Sequence, residues 1–92
     1  MSRVIRFGPD YQVSLARGGV RGRSETSRAI GVTVRALEEA EGLPGPDDAQ
    51  GLAPQMSPVA RWAFARRVPG LGLWVWYVAD DGILTLLAVS RD

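Results

Sequence analysis

Ninety-two residues allow one domain (1–92) with a modest core. The absence of cysteine and histidine excludes disulfides, thiolate metal sites, thiol chemistry and an imidazole general base, so any catalysis falls to Arg, Tyr, Ser, Thr, Asp or Glu. Net charge is +1 and all eleven basic residues are arginine, but residues 1–35 hold seven of them against Asp10 and Glu25, while residues 36–58 hold five acids and no base. A basic front half can attract a polyanion even when the total is near zero, and the planar guanidinium fork matches phosphate oxygens. No apolar run approaches the roughly 18 residues of a membrane span, and the start lacks a signal segment, so a soluble cytoplasmic protein is expected.

Arg3–Phe7 reads as a short strand ended by Gly8-Pro9. Asp10 or Pro9 opens a helix over 11–17, with Tyr11 and Leu15 one turn apart on one face, and Gly18-Gly19 stops it. Residues 17–23 hold three glycines and three arginines, which predicts a mobile basic loop. Ser24 is the expected N-cap of a second, amphipathic helix from Glu25 to about Glu41, with Ile30, Val34 and Leu37 along one stripe. The three glutamates in its last turns oppose the helix dipole.

Residues 42–58, with four prolines and three glycines, predict a long connection without an element of its own. Residues 59–68 then read as a strand, with helix as the competitor, because a Pro69-Gly70-Leu71-Gly72 turn follows. The densest apolar stretch, 71–89, predicts a hairpin closed by a three-residue loop, Asp80-Asp81-Gly82. Neither strand alternates cleanly, so both faces should be covered. Trp74 and Trp76 point one way and Leu73, Val75 and Tyr77 the other. One set is core; the other is a candidate partner surface or further core.

This order resembles the RelE/ParE toxin superfamily, the small toxins of type II toxin–antitoxin modules. The likeness spans nearly the whole chain and rests on pattern. It is carried by the opening strand with Gly8-Pro9-Asp10-Tyr11, by Ala29–Leu37 and the exit Asp48-Ala49-Gln50-Gly51-Leu52, and above all by residues 73–84. The terminal Ala88-Val89-Ser90-Arg91-Asp92 is similar to the ending where members often carry a His and one or two Arg. The resemblance implies an α+β fold, β-α-α-β-β-β, with two helices packed on a small antiparallel sheet. It also implies a growth-inhibiting toxin neutralised by a cognate antitoxin. Trp74 stands where an arginine is common, Ser90 where the near-terminal His is usual, and lysine is missing. These departures favour the ParE-like mode, inhibition of a target such as DNA gyrase by binding. The alternatives are a RelE-like ribosome-dependent mRNA endoribonuclease, and a non-toxic interaction domain or homodimer pairing its tryptophans.

If the chain cleaves RNA, Arg61, Arg67 and Arg91 are the candidate cations and Tyr77 the candidate proton donor or stacking group, with Arg66 on the other face of the strand. Arg17, Arg21, Arg23 and Arg28 are candidates for nucleic-acid or target binding, and Trp74 and Trp76 for the partner surface. No cofactor is implied. Asp80 and Asp81 could suggest a metal pair, but adjacent turn acids without a third ligand read as a turn, and no metal is expected.

Overall fold

The structure, a computed structural model, describes residues 2–54 and 61–91. Seven elements follow in order: β1 (Val4–Phe7), α1 (Tyr11–Arg17), α2 (Glu25–Glu39), β2 (Ala49–Ala53), β3 (Arg61–Val68), β4 (Leu73–Asp80) and β5 (Ile83–Arg91). They form an α+β domain with one five-stranded sheet ordered β1-β5-β4-β3-β2. Two expectations are corrected. The sheet is mixed, because β1 runs parallel to β5 (Val4 beside Ile83 to Phe7 beside Leu86). A further strand, β2, lies within the expected connection and pairs antiparallel with β3. A Pro- and Gly-rich stretch hid it: Ala49-Gln50-Gly51-Leu52-Ala53 has no β-branched residue, and its pairing comes from β3 rather than from its own propensity. The expected strand residues Val59 and Ala60 lie outside the described set.

The hairpin β4–β5 has a shorter loop than expected. Asp80 pairs with Ile83, so only Asp81 and Gly82 turn the chain, at φ of 49° and 75°. Two consecutive positive φ values define the turn type whose twist suits a hairpin, and Asp-Gly is a preferred pair for it.

The helices cover one face of the sheet. Leu73, Val75 and Tyr77 are fully or almost fully buried there, beneath Tyr11, Ile30 and Leu37 and beside Val68, Leu84, Leu86 and Val89. Fully burying an aliphatic side chain of this kind stabilises by about 1.5–3 kcal/mol. An irregularity in β5 explains its four consecutive buried residues, Leu86 to Val89. Tyr77 pairs with Leu86 and Trp76 with Ala88, leaving Leu87 as the extra residue of a β-bulge. Leu84 and Leu86 face the helices, and so does Val89 after the bulge, while Leu87 joins a small cluster on the outer face.

Beyond Leu86, β5 has lost β1 as a neighbour, and α1 supplies the missing partner. Ser14 Oγ accepts the Val89 N–H at 2.9 Å while donating to its own helix at Tyr11 O (2.6 Å). The C-terminal ends of both helices are secured by arginine. Ser24 caps α2 by accepting the Ser27 N–H at 3.1 Å. At the other end Arg3 donates its guanidinium to Leu37 O and Ala40 O, and its backbone N–H to Glu38 O. That cation resolves the conflict of three glutamates at a helix C-terminus, because it satisfies the orphan carbonyls and offsets the dipole. Arg91 does the same for α1, donating through Nε and Nη2 to Gly18 O.

Candidate functional site

The connection between α2 and β2 meets the sheet at one carboxylate. Asp48, with only 2% of its side chain exposed, accepts two bonds from Arg66 (2.8 and 3.1 Å), one from the Gly45 N–H (2.8 Å) and one from the Tyr77 hydroxyl. Burial alone would raise its pKa, but Arg66, Tyr77 and the Gly45 amide outweigh that and hold the carboxyl below its usual range. Tyr77 is pushed well above the normal phenol value, first by burial and then by its bond to the Asp48 carboxylate. A bidentate arginine and a phenol around one desolvated carboxylate form a closed arrangement, in which no buried side-chain N or O of a described residue lacks a partner.

The outer face of the sheet is built around Trp76. Its indole Nε1 donates to Ser90 Oγ at 2.9 Å. The other end of the ring reaches Gly51 on β2, where an added Cβ would lie 3.6 Å from the Trp76 Cη2. Ala63 and Ala65 on β3, both about 1% exposed, leave room for the ring between those points. Trp76 thus covers the second face together with Ala53, Ala63 and Leu87, and is half-buried core rather than a bare surface. Trp74, its neighbour two positions earlier, lies under Arg67, whose guanidinium carbon sits 4.4 Å from the ring centroid in a cation–π contact.

The four residues proposed for RNA cleavage do not converge. Tyr77 is fully buried on the helix side. Arg67 lies on the outer face at the β3 end nearest the turn into β4, paired opposite Trp74. Arg61 shares that face but stands six residues away, about 20 Å along the strand, in a shallow cleft with Arg6, Asp80 and Asp81. Arg91 is committed to the α1 terminus. It does line an open cleft of about 310 Å³ with Arg17, Ser14, Ser90 and Asp10, which places two expected arginines together in a setting sequence reasoning did not identify. The sequence marked Asp10 only as a helix opener and did not mark Ser14; the Ser14–Val89 bond holds this end of α1 beside β5.

Comparison with protein-family models, curated proteins and solved structures finds no match to this chain.

The remaining expected residues do form a unit. Arg17, Arg21, Arg23 and Arg28 are all exposed, around the turn that links α1 to α2. Within the turn the Val20 N–H donates to Leu15 O at 3.0 Å, and the Ser24 hydroxyl donates to Arg21 O at 2.7 Å. Beside it lies an apolar groove of about 530 Å³ lined from α1 and α2, floored by Tyr11, Leu15, Ile30, Val34 and Leu86 and edged by Phe7, which is 60% exposed. Among the described residues no group of three or more acids is placed to hold a metal ion, and no helix is long and apolar enough to cross a membrane.

Proposed function

We propose that this chain is the toxin of a type II toxin–antitoxin module of the RelE/ParE kind, neutralised by a cognate antitoxin and acting by binding a cellular target such as DNA gyrase. The opening β-α-α order and the 73–84 hairpin support the family reading. The observation that carries binding over cleavage is the position of Tyr77: its hydroxyl is bonded to Asp48 in the interior, on the opposite side of the sheet from Arg61 and Arg67. A proton donor has to reach the leaving oxygen within hydrogen-bond distance, and this one faces a carboxylate instead. The groups that remain accessible are exposed arginines and an apolar groove, which are the means of recognition rather than of bond cleavage.

Induction of the chain alone in a bacterial host tests the reading. Growth arrest, relieved by co-expressing the product of a neighbouring small gene, is the expected result. Gyrase supercoiling falls in the arrested cells while primer extension finds no new mRNA ends. New mRNA ends with supercoiling unchanged would instead favour the ribosome-dependent nuclease, acting from the Arg17–Arg91 cleft. Normal growth with folded protein present would leave only the non-toxic interaction domain or homodimer.

A further inference from the structure

We propose that the free edge of β2 pairs antiparallel with the same strand of a second copy, on a two-fold axis at Leu52, so that the two sheets join into one. The inference goes beyond the toxin reading and rests on none of it. The sheet ends at β2, which has β3 on one side and, among the described residues, no strand on the other. An edge strand presents a row of backbone N–H and C=O groups to any chain that can pair with it, and proteins commonly blunt such edges with charge. The two edges of this sheet differ in that respect. β1 holds an exposed Arg6 and follows Arg3. Residues 49–54 carry no charge at all.

The side chains decide which partner fits. Leu52 lies opposite Trp62 on β3, and Gln50 opposite Phe64. Because Phe64 packs on the main core, strand alternation puts Leu52 and Trp62 on the helix side of the sheet. Neither is covered there: Leu52 is 57% exposed and Trp62 59%. They form an apolar pair that runs out to the free edge. A two-fold axis perpendicular to the sheet at Leu52 sets that residue against its own copy. The row across the seam then reads Trp62, Leu52, Leu52, Trp62, four large side chains that are each more than half exposed in the single chain. The next pairs are Gly51 with Ala53 and Gln50 with Pro54, so neither bulk nor charge in the seam opposes closure. Another extended segment would satisfy the backbone, but this patch supplies its own complement, which favours a second copy. The tryptophans of β4 do not serve here, since Trp76 reaches Gly51 on the outer face and bonds to Ser90, while Trp74 lies under Arg67. Short strands and few side chains make an interface below the roughly 1,200 Å² of standard ones, so a Kd of about tens of micromolar is expected.

Sedimentation velocity of the full chain, from about 1 μM to about 1 mM, tests this and should show a monomer–dimer equilibrium. Leu52→Lys and Leu52→Glu each set like charges against one another on the axis, and each should weaken association about tenfold or more. Mixed in equal amounts, the two should form a heterodimer, which a contact of residue 52 with itself requires. Position 52 is exposed, so both variants should keep the parent's circular dichroism spectrum. The chain has no cysteine, so a single introduced thiol can pair only with its counterpart in another copy. Directly opposed strand residues have Cβ atoms about 4.5–5.5 Å apart, close to disulfide reach. Leu52→Cys should therefore oxidise to a covalent dimer at dilutions where Val32→Cys, at an exposed apolar position of α2, stays a monomer. Four results would overturn the proposal: a parent that stays monomeric throughout, even if it captures an extended peptide of other sequence; a dimer that survives Leu52→Lys; an equal mixture that does not associate; or equal cross-linking of the two cysteine variants. Growth arrest is scored separately, so failure here and failure of the toxin reading are distinct outcomes.

Discussion

Tyr77 and Asp48, 29 residues apart in the chain, meet where β4 passes beneath the connection that leads into β2, and their hydroxyl–carboxylate bond ties that connection to the core. Arg66 completes the tie from β3. Asp48→Asn keeps the shape but removes the charge that three donors address, and it should lower stability by about 2–3 kcal/mol. Tyr77→Phe should cost about 1 kcal/mol. Urea denaturation of both and of the double variant checks this: the two losses should be non-additive, because both substitutions act on the same hydrogen-bonded pair.

The same pair gives stability a pH dependence at both ends. The folded Asp48 carboxyl titrates below its unfolded value, so its contribution is present above the ordinary carboxylate range of about pH 4 and is lost as pH falls through the lowered folded value. Tyr77 is raised, and its contribution is full below the ordinary phenol value of about 10 and lost as pH rises past it. Tyr11 is raised by burial as well. An ultraviolet titration should therefore show no tyrosinate at the pH where free tyrosine ionises, and its appearance should coincide with unfolding. Tyrosinate forming in the folded protein near pH 10 would contradict the closed arrangement around Asp48.

At position 51, Gly51→Ala should be nearly neutral, because its Cβ would make an ordinary contact with Trp76. Gly51→Val should push the indole off its seat and cost about 1–3 kcal/mol, with a shift in tryptophan emission as Trp76 gains solvent. Ser90→Ala removes the acceptor of the Trp76 N–H and should cost about 1 kcal/mol. Thermal melts with fluorescence detection distinguish the three.

The arginines divide into structural and surface groups, and mutagenesis should sort them. Arg3→Ala should destabilise by about 1 kcal/mol and speed hydrogen exchange in the last turn of α2. Arg91→Ala should do the same for α1, so any lost activity in that variant has to be read against its lost stability. Arg21→Ala and Arg23→Ala should leave stability within about 0.5 kcal/mol.

Much of this architecture was legible in the residues. The apolar density of 73–89 marked the central hairpin, Ser24 and Glu25 marked the start of α2, and the Pro69–Gly72 turn favoured strand over helix for β3. What was not legible depended on contacts distant in sequence. β2 forms because β3 offers it an edge, although no residue in it favours a strand. The parallel pairing of β1 cannot be read from four residues that would suit either direction. The two-sided burial of the hairpin was visible, but its cause was split: Leu73, Val75 and Tyr77 meet the helices, while Trp76 fills space left by two alanines and a glycine on other strands. The groups considered for catalysis were visible by type, and their dispersal was not. Strand alternation put Arg61 and Arg67 on one face, but it could not show that Tyr77 is fastened to Asp48 or that Arg91 is spent on Gly18.

The parallel seam between β1 and β5 joins residues about eighty positions apart in a chain of 92. During synthesis, Val4–Phe7 therefore leaves the ribosome long before the strand it pairs with exists. Until Ile83–Leu86 emerges, Phe7 has no strand to lie beside and Gly8 has no Leu86 carbonyl for its N–H. The helices can form early, since their contacts are local, but the sheet can close over its first strand only as a late event. Folding should be slow for a domain this small, and the emerging chain should hold an unpaired apolar edge for most of its synthesis.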